Sequence, residues 1–180
     1  MKTDLHEHIQ APQGVTISVS AGNTVLVMGP RGEVKRAFFD PKITITGESE
    51  GASLRSVGRR KEKTRMYSYV AHIKNMITGV LNLHEYTLKI CSGHFPINVA
   101  MGANQLSVKN FLGEKTPRIV AVPAGVTVKV EGDKINVSSP DIELAGRVAS
   151  SFEQLTRITN RDLRIFQDGI YIIKKSGELT

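Results

Sequence analysis

The strongest constraint on what this chain can fold into is that it repeats itself. Val25, Val27, Gly32 and Glu33 recur as Leu106, Val108, Gly113 and Glu114, each as far along as 106 lies after 25. Pro12 and Val15 recur as Pro96 and Val99, with slack in the intervening turn, where a change of loop length costs little. Pro41, Ile43 and Ile45 find counterparts in Pro123, Val126 and Val128. A helical stripe, Met66, Tyr69, Ile73 and Met76, returns as Ala145, Val148, Phe152 and Leu155. One plan of strands followed by a helix, written twice, has to bury two similar cores.

Within the first copy, Val15, Ile17 and Val19 alternate, Ala21-Gly22-Asn23 offers a turn, and Val25 and Val27 resume the two-residue period of a β-hairpin. Gly29-Pro30-Arg31-Gly32 breaks the pairing, Val34 with Phe38-Phe39 suggests a third strand, and Ile43 with Ile45 a fourth. From Arg65 the period becomes helical, and Gly79 is placed to close the helix. In the second copy, Ser139 is expected to cap the helix and Pro140 to occupy its first position. The join near Val80–His84 is short and lacks the composition of a flexible linker, so the lobes are expected to abut rigidly. The expected fold is α+β with an internal duplication. Two similar small lobes, 1–82 and 83–180, each carry a mostly antiparallel β-sheet packed with one α-helix, and the second ends in a basic tail.

Composition narrows the function. Lysine and arginine number 24 against 17 aspartate and glutamate, a formal charge of +7, for which a polyanion is the natural partner and a merely soluble basic domain the bland alternative. Cys91 is the single cysteine, so no internal disulfide and no paired-cysteine zinc site is expected; it reads as a small core residue in a reducing compartment. The first ten residues have neither a basic n-region nor an apolar h-region, and no apolar run approaches membrane length, so neither export nor insertion is expected.

Reactive constellations are missing. None of His6, His8, His72, His84 and His94 stands in a zinc-protease pattern, and His6-x-His8 reads as a solvated, frayed terminus. Gly22, Gly29 and Gly32 fit no nucleotide fingerprint, and no Gly-x-Ser-x-Gly elbow is present. No enzyme, cofactor, metal site or small-molecule substrate is therefore expected.

Three basic groups suggest RNA. The densest comprises Arg55, Arg59, Arg60, Lys61, Lys63 and Arg65, expected as one flexible loop able to neutralise several phosphates, although a solvated charge run would look the same. Arg157, Arg161 and Arg164 follow the second helix, with Phe166, Tyr171 and Lys174-Lys175 nearby. Arginine forks grip phosphates and an exposed aromatic can stack on a base, while Phe166 would serve equally in a core. Third, Lys109-Asn110-Phe111-Leu112-Gly113-Glu114-Lys115 and His94-Phe95-Pro96 read as exposed tips, with Lys115 and Arg118 available to RNA. Aromatics at 6% and no tryptophan favour shape and phosphate contacts to folded RNA over single-strand stacking.

These residues also carry a resemblance. Val27-Met28-Gly29-Pro30-Arg31-Gly32, Ala71-His72-Ile73-Lys74-Asn75-Met76-Ile77-Thr78-Gly79-Val80 and His94-Phe95-Pro96-Ile97-Asn98-Val99 resemble the universal family-six protein of the large ribosomal subunit, in its archaeal and eukaryotic branch. So do Asn110-Phe111-Leu112-Gly113-Glu114-Lys115 and, most specifically, the run from Asn160 to Ile172 within 154–175. The resemblance implies a cytoplasmic, ribosomal, structural role. Its partners would be large-subunit ribosomal RNA, near the sarcin-ricin loop and translation-factor site, and neighbouring large-subunit proteins. It places most RNA contact on the second lobe, at Lys109, Asn110, Lys115, Arg118, Arg157, Arg161, Arg164, Lys174 and Lys175. Arg59, Arg60, Lys61 and Lys63 are then left to RNA or to other proteins. The segment with Leu5, His6 and His8 matches nothing in that family. A basic protein-interaction module and an RNA-processing factor outside the ribosome are the alternatives.

Overall fold

The structure, a computed structural model, describes residues 3–20, 22–48, 51–58 and 60–177. Packing divides the chain into Met1–Leu83 and His84–Thr180. In the first unit, strands β1 (Thr3–Gln10), β5 (Ile43–Glu48) and β6 (Gly51–Gly58) pair in the order β1-β6-β5. Strands β2 (Thr16–Ser20), β3 (Thr24–Gly29) and β4 (Gly32–Ala37) form a three-stranded meander. All these pairings are antiparallel. The inward residues of the alternation, Val25, Val27, Ile43, Ile45 and Leu54, meet Met66, Ile73 and Val80 of helix α1 (Arg60–Leu81) in one core. Each such side chain contributes about 1.5–3 kcal/mol relative to exposure.

Several expectations for this unit need correction. Helix α1 begins at Arg60 rather than Arg65, and Gly79 lies buried inside its last turn instead of ending it. The helix runs on because Val80 belongs to the core, directly under the β3–β4 turn: a Cβ on Gly29 would stand 2.8 Å from Val80 Cγ2, and Arg31 N donates to Val80 O at 3.0 Å. Phe39, expected in a strand, is exposed beyond the end of β4, whereas Phe38 is buried.

The N-terminal segment is not frayed. β1 pairs with β6 from Thr3↔Gly58 to Gln10↔Gly51, and His8 Nε2 reaches Glu48 Oε2 at 3.1 Å. Nor is the dense basic group one flexible loop. Arg55 lies in β6, and Arg60, Lys61, Lys63 and Arg65 lie in the first turns of α1; Arg59 falls outside the described residues. Pairing with β1 extends the strand to Gly58, and the apolar stripe at Met66 and Val70 draws the basic run into the helix, with Glu62 favourably placed in its first turn.

The second unit repeats the plan and extends it. Strands β8 (Asn98–Met101), β9 (Gln105–Lys109) and β10 (Arg118–Ala121) form a meander. Strands β7 (His84–Cys91), β11 (Thr127–Glu131), β12 (Lys134–Ser139) and β13 (Gly169–Lys174) pair in the order β11-β12-β7-β13. Helix α2 (Ile142–Leu155) turns Val148, Ala149 and Phe152 onto Leu88, Ile135, Val137 and Ile170, and Ala145 on the same helix is buried too. Its N-cap is Asp141, whose Oδ1 accepts from Glu143 N at 2.9 Å, so Ser139 and Pro140 both precede the helix. Ser139 Oγ instead accepts from Asp141 N and fixes the entry. Cys91 is only partly buried, at the end of β7, rather than in the core.

The pairing register settles the repeat. His8 faces Ser53 as Lys89 faces Lys134, and Asp4 faces Val57 as Glu85 faces Ser138, so the offset between β3 and β9 also relates β1–β6 to β7–β12. Through β6 and β12, Ile43 corresponds to Val128 and Ile45 to Val130. Through β3 and β9, Ile17 rather than Val15 corresponds to Val99. Each sequence match is slipped by two residues, which preserves the inward face and so leaves no mark on the apolar pattern. Gly32 and Glu33 open β4, whereas Gly113 and Glu114 lie in the longer β9–β10 connection, so these pairs are not equivalent.

Candidate nucleic-acid interface

Three tips of the second unit meet on one surface. The first follows β7 at Gly93–Pro96, the second joins β9 to β10, and the third runs from Arg157 to Gln167 between α2 and β13.

The second tip is a compact, positive-φ turn. Asn110 (φ 58°), Leu112 (φ 50°) and Gly113 (φ 81°) all adopt conformations that non-glycine residues rarely take. Phe111, expected at an exposed tip, is buried and serves as its anchor, with the Arg118 guanidinium 4.5 Å above its ring. Asn110 Nδ2 donates to Pro96 O at 3.0 Å and the half-exposed Phe95 ring lies against Gly113, so the first two tips touch.

Arg118 is occupied rather than free. Its Nε and Nη2 donate to Glu114 at 2.8 and 2.6 Å, and its Nη1 donates to Leu155 O at 2.7 Å. It therefore clasps the second tip to the end of α2, beside Arg157. The hydrogen bonds from Arg118 hold the Glu114 carboxyl below its ordinary pKa, against the opposing effect of burial.

The third tip hangs on Asp168, which is almost fully buried. Its Oδ1 accepts from Gly93 N and from His94 N (3.0 Å), and its Oδ2 lies 2.6 Å from His94 Nδ1. Burial opposes ionisation, but the hydrogen bonds from His94 and Gly93 outweigh it and keep the carboxyl below the usual aspartate range. The His94 ring stacks on Phe166 at 4.7 Å between centroids, and Arg161 lies 4.7 Å from the centroid of that same Phe166 ring. Asp162 closes the loop, its carbonyl accepting from Ile165 N and Phe166 N and its carboxylate from Arg164 N. Thr156 Oγ1 accepts from Ile170 N at 2.9 Å and returns the chain to β13.

Of the residues singled out in the sequence, Lys109, Asn110, Lys115, Arg157, Arg161, Arg164, Lys174 and Lys175 are all exposed. Arg164 projects well into solvent, its side chain 91% accessible even though it pairs with Asp162 at 3.2 Å. Beside the third tip, an open groove of about 1050 Å³ runs past Cys91, His94, Arg157, Leu163, Ile165 and Tyr171. Sequence reasoning misses His94 and Asp168 as anchors of this surface. The one available signal is an aspartate directly before the glycine that opens an apolar strand.

The first unit's cations are arranged differently. Arg65 pairs with the buried Asp40 at 3.0 Å, Lys42 with Glu62 at 2.9 Å, and Lys63 lies over the Tyr67 ring, while Arg60 and Lys61 are exposed. Among the described residues there is no cluster of three or more histidine, cysteine, aspartate or glutamate side chains able to hold a metal, and no helix is long and apolar enough to cross a membrane.

The family pattern described as "Ribosomal protein L6" matches residues 11–82 and 95–169, one segment for each copy of the repeat. The chain belongs to the ribosomal protein L6 family. Relatives of this L6-family chain agree over almost its full length. It is 39% identical to the large ribosomal subunit protein uL6 of Methanothrix thermoacetophila, covering 97% of this chain and 99% of that protein. Identity is 41% with the uL6 of Methanococcus vannielii, over 97% and 96% of the two chains. With that of Ignicoccus hospitalis it is 42%, over 93% of each. The L6-family chain is thus a structural protein of the large ribosomal subunit and not an enzyme.

Proposed function

We propose that the three tips of the second unit grip folded large-subunit ribosomal RNA, near the sarcin-ricin loop and the translation-factor site. The observation that carries this reading is the Arg161–Phe166–His94 column, fastened from below by the buried Asp168. A guanidinium already held on an aromatic ring loses less conformational freedom when it takes a phosphate than a freely rotating one does. Lys109, Lys115, Arg157 and Arg164, on or beside the tips, add exposed positive charge, whereas Lys174 and Lys175 lie at the far end of β13, opposite Thr87 and near His84, and would contact RNA apart from the column. Phosphate neutralisation by such groups supplies a large share of the affinity. The positive-φ tip and its clasp by Arg118 give the surface a fixed shape, which suits recognition of folded RNA by form. Neighbouring large-subunit proteins are the remaining partners, and the site of action is the cytoplasmic ribosome.

The test is binding of the full chain to two transcripts of large-subunit RNA at matched salt, one containing the sarcin-ricin helix and one lacking it. Affinity at least about tenfold higher for the first is expected, a threshold well below the usual margin of specific over non-specific binding. Equal affinity for both would remove the assignment to that region.

A further inference from the structure

The duplication exposes a place in the first unit that the second unit fills for itself. In the second unit, β13 lies antiparallel on the outer edge of β7, with Gly169, Ile170 and Tyr171 opposite Cys91, Ile90 and Lys89. Helix α2 secures it: Thr156 Oγ1 accepts from Ile170 N at 2.9 Å, and Glu153 Oε1 from Ile172 N at 3.3 Å. The register that equates β1–β6 with β7–β12 makes His8, Ile9 and Gln10 the counterparts of Lys89, Ile90 and Cys91. The helical stripe that equates Ile73 with Phe152 makes Lys74 and Ile77 the counterparts of Glu153 and Thr156. His8, Ile9, Gln10, Lys74 and Ile77, with Thr78, line a single open cavity of about 440 Å³. That cavity is the first unit's equivalent of the β13 position. Among the described strands of the unit, β1 is an edge.

We propose that this edge and the adjoining flank of α1 take up an extended segment of a neighbouring protein. The segment lies antiparallel to β1 and carries an acidic side chain opposite Lys74. An unpaired strand edge presents a row of backbone donors and acceptors that an added strand satisfies, with side-chain pockets setting which strand is taken. The substitutions between the units define the occupant. Where α2 offers the Glu153 carboxylate to a backbone N–H, α1 offers the exposed Lys74 ammonium, which pairs with a carboxylate and cannot accept. Where α2 offers the Thr156 hydroxyl, α1 offers Ile77, which with Ile9 makes an apolar floor for one alternating side chain. A strand like β13 itself, with Ile172 at the position facing Lys74, does not meet this description, so β13 of a second copy of this chain is not the occupant. The proposal is independent of the RNA reading, because it concerns the other unit.

The experiment places photoreactive benzoylphenylalanine at Thr78 of the full chain, assembles that chain into large subunits, and identifies the cross-linked peptide by mass spectrometry. One protein segment containing Asp or Glu is expected. Lys74→Glu in the same background should lower the cross-link yield about tenfold, as expected when one charge-assisted hydrogen bond is removed. Sedimentation with the large subunit should stay unchanged. Amide exchange across Thr3–Gln10, measured in the wild-type chain, should slow at least about tenfold on going from free chain to subunit, as newly paired edge amides do. Cross-links only to RNA, only to a second copy of this chain, scattered over many proteins, or to nothing would overturn the proposal. So would equal β1 exchange in the two states, or a yield indifferent to Lys74→Glu.

Discussion

The two units share one scaffold and differ in what is added to it. Between β3 and β4 the first unit turns on Pro30-Arg31; at the corresponding place the second inserts the tip from Asn110 to Pro117. After α2 the second unit adds the loop from Arg157 to Gln167 and strand β13, neither of which the first unit possesses after α1. Nearly every cation assigned to RNA lies in or beside these additions. The comparison teaches that the repeat secures a stable core twice, while the contacts proposed for RNA sit in loops that a rigid sheet and helix hold in place.

If each unit owns its core, damage to one should stay local. Phe152→Ala removes a fully buried ring and should cost about 3–5 kcal/mol, the largest effect expected of a single substitution. Amide exchange should then accelerate across α2, β7 and β12 and remain slow in α1 and β3; Ile73→Ala, at the equivalent position of α1, should produce the mirror image. Equal loosening of both units by either variant would break the two-core picture.

Next in size is Asp168→Ala, which strands the amides of Gly93 and His94 and should cost about 2–3 kcal/mol. Its effect should fall on the third tip, seen as fast exchange from Arg157 to Gln167 with β3 and α1 unaffected. Acid should mimic it. Because the folded carboxyl titrates below the ordinary value of 3.8, its contribution is complete above that pH and disappears as pH falls through the lower, folded value. The chemical shifts of the Gly93 and His94 amides, followed through the titration, report the change. A smaller effect, about 1–2 kcal/mol, is expected for Arg118→Lys, which keeps the charge but gives up the fork to Glu114 and the bond to Leu155 O. Thermal unfolding measures it.

What is legible in the sequence follows from periodicity. Alternation at Val25 and Val27 and the stripe through Met66 and Ile73 report which face is inward, so the duplication, the α+β class and most core residues can be read directly. A shift of two residues conserves the face, and that is why the apolar pattern pairs Val99 with Val15 in place of Ile17. The basic run at Arg55–Arg65 looks like a loop because its charges hide a strand end and a helix start, both imposed by tertiary pairing with β1 and by the core below Met66. At the candidate interface the exposed cations are visible as charge. Their organisers are not, because Asp168 holds the amide of Gly93 across 75 residues and Arg118 reaches Leu155 O across 37, separations that no local pattern encodes.

The most direct test of the central claim, that the second unit's tips carry the RNA contact, is the salt dependence of binding to large-subunit RNA for two paired charge reversals. Arg161→Glu with Arg164→Glu should weaken binding and flatten the slope of log affinity against log salt by roughly 0.7–0.9 for each phosphate no longer neutralised. Arg60→Glu with Lys61→Glu, in the first unit, should leave that slope close to wild type. A slope unchanged by the first pair and flattened by the second would contradict the account and move the RNA contact to the other unit.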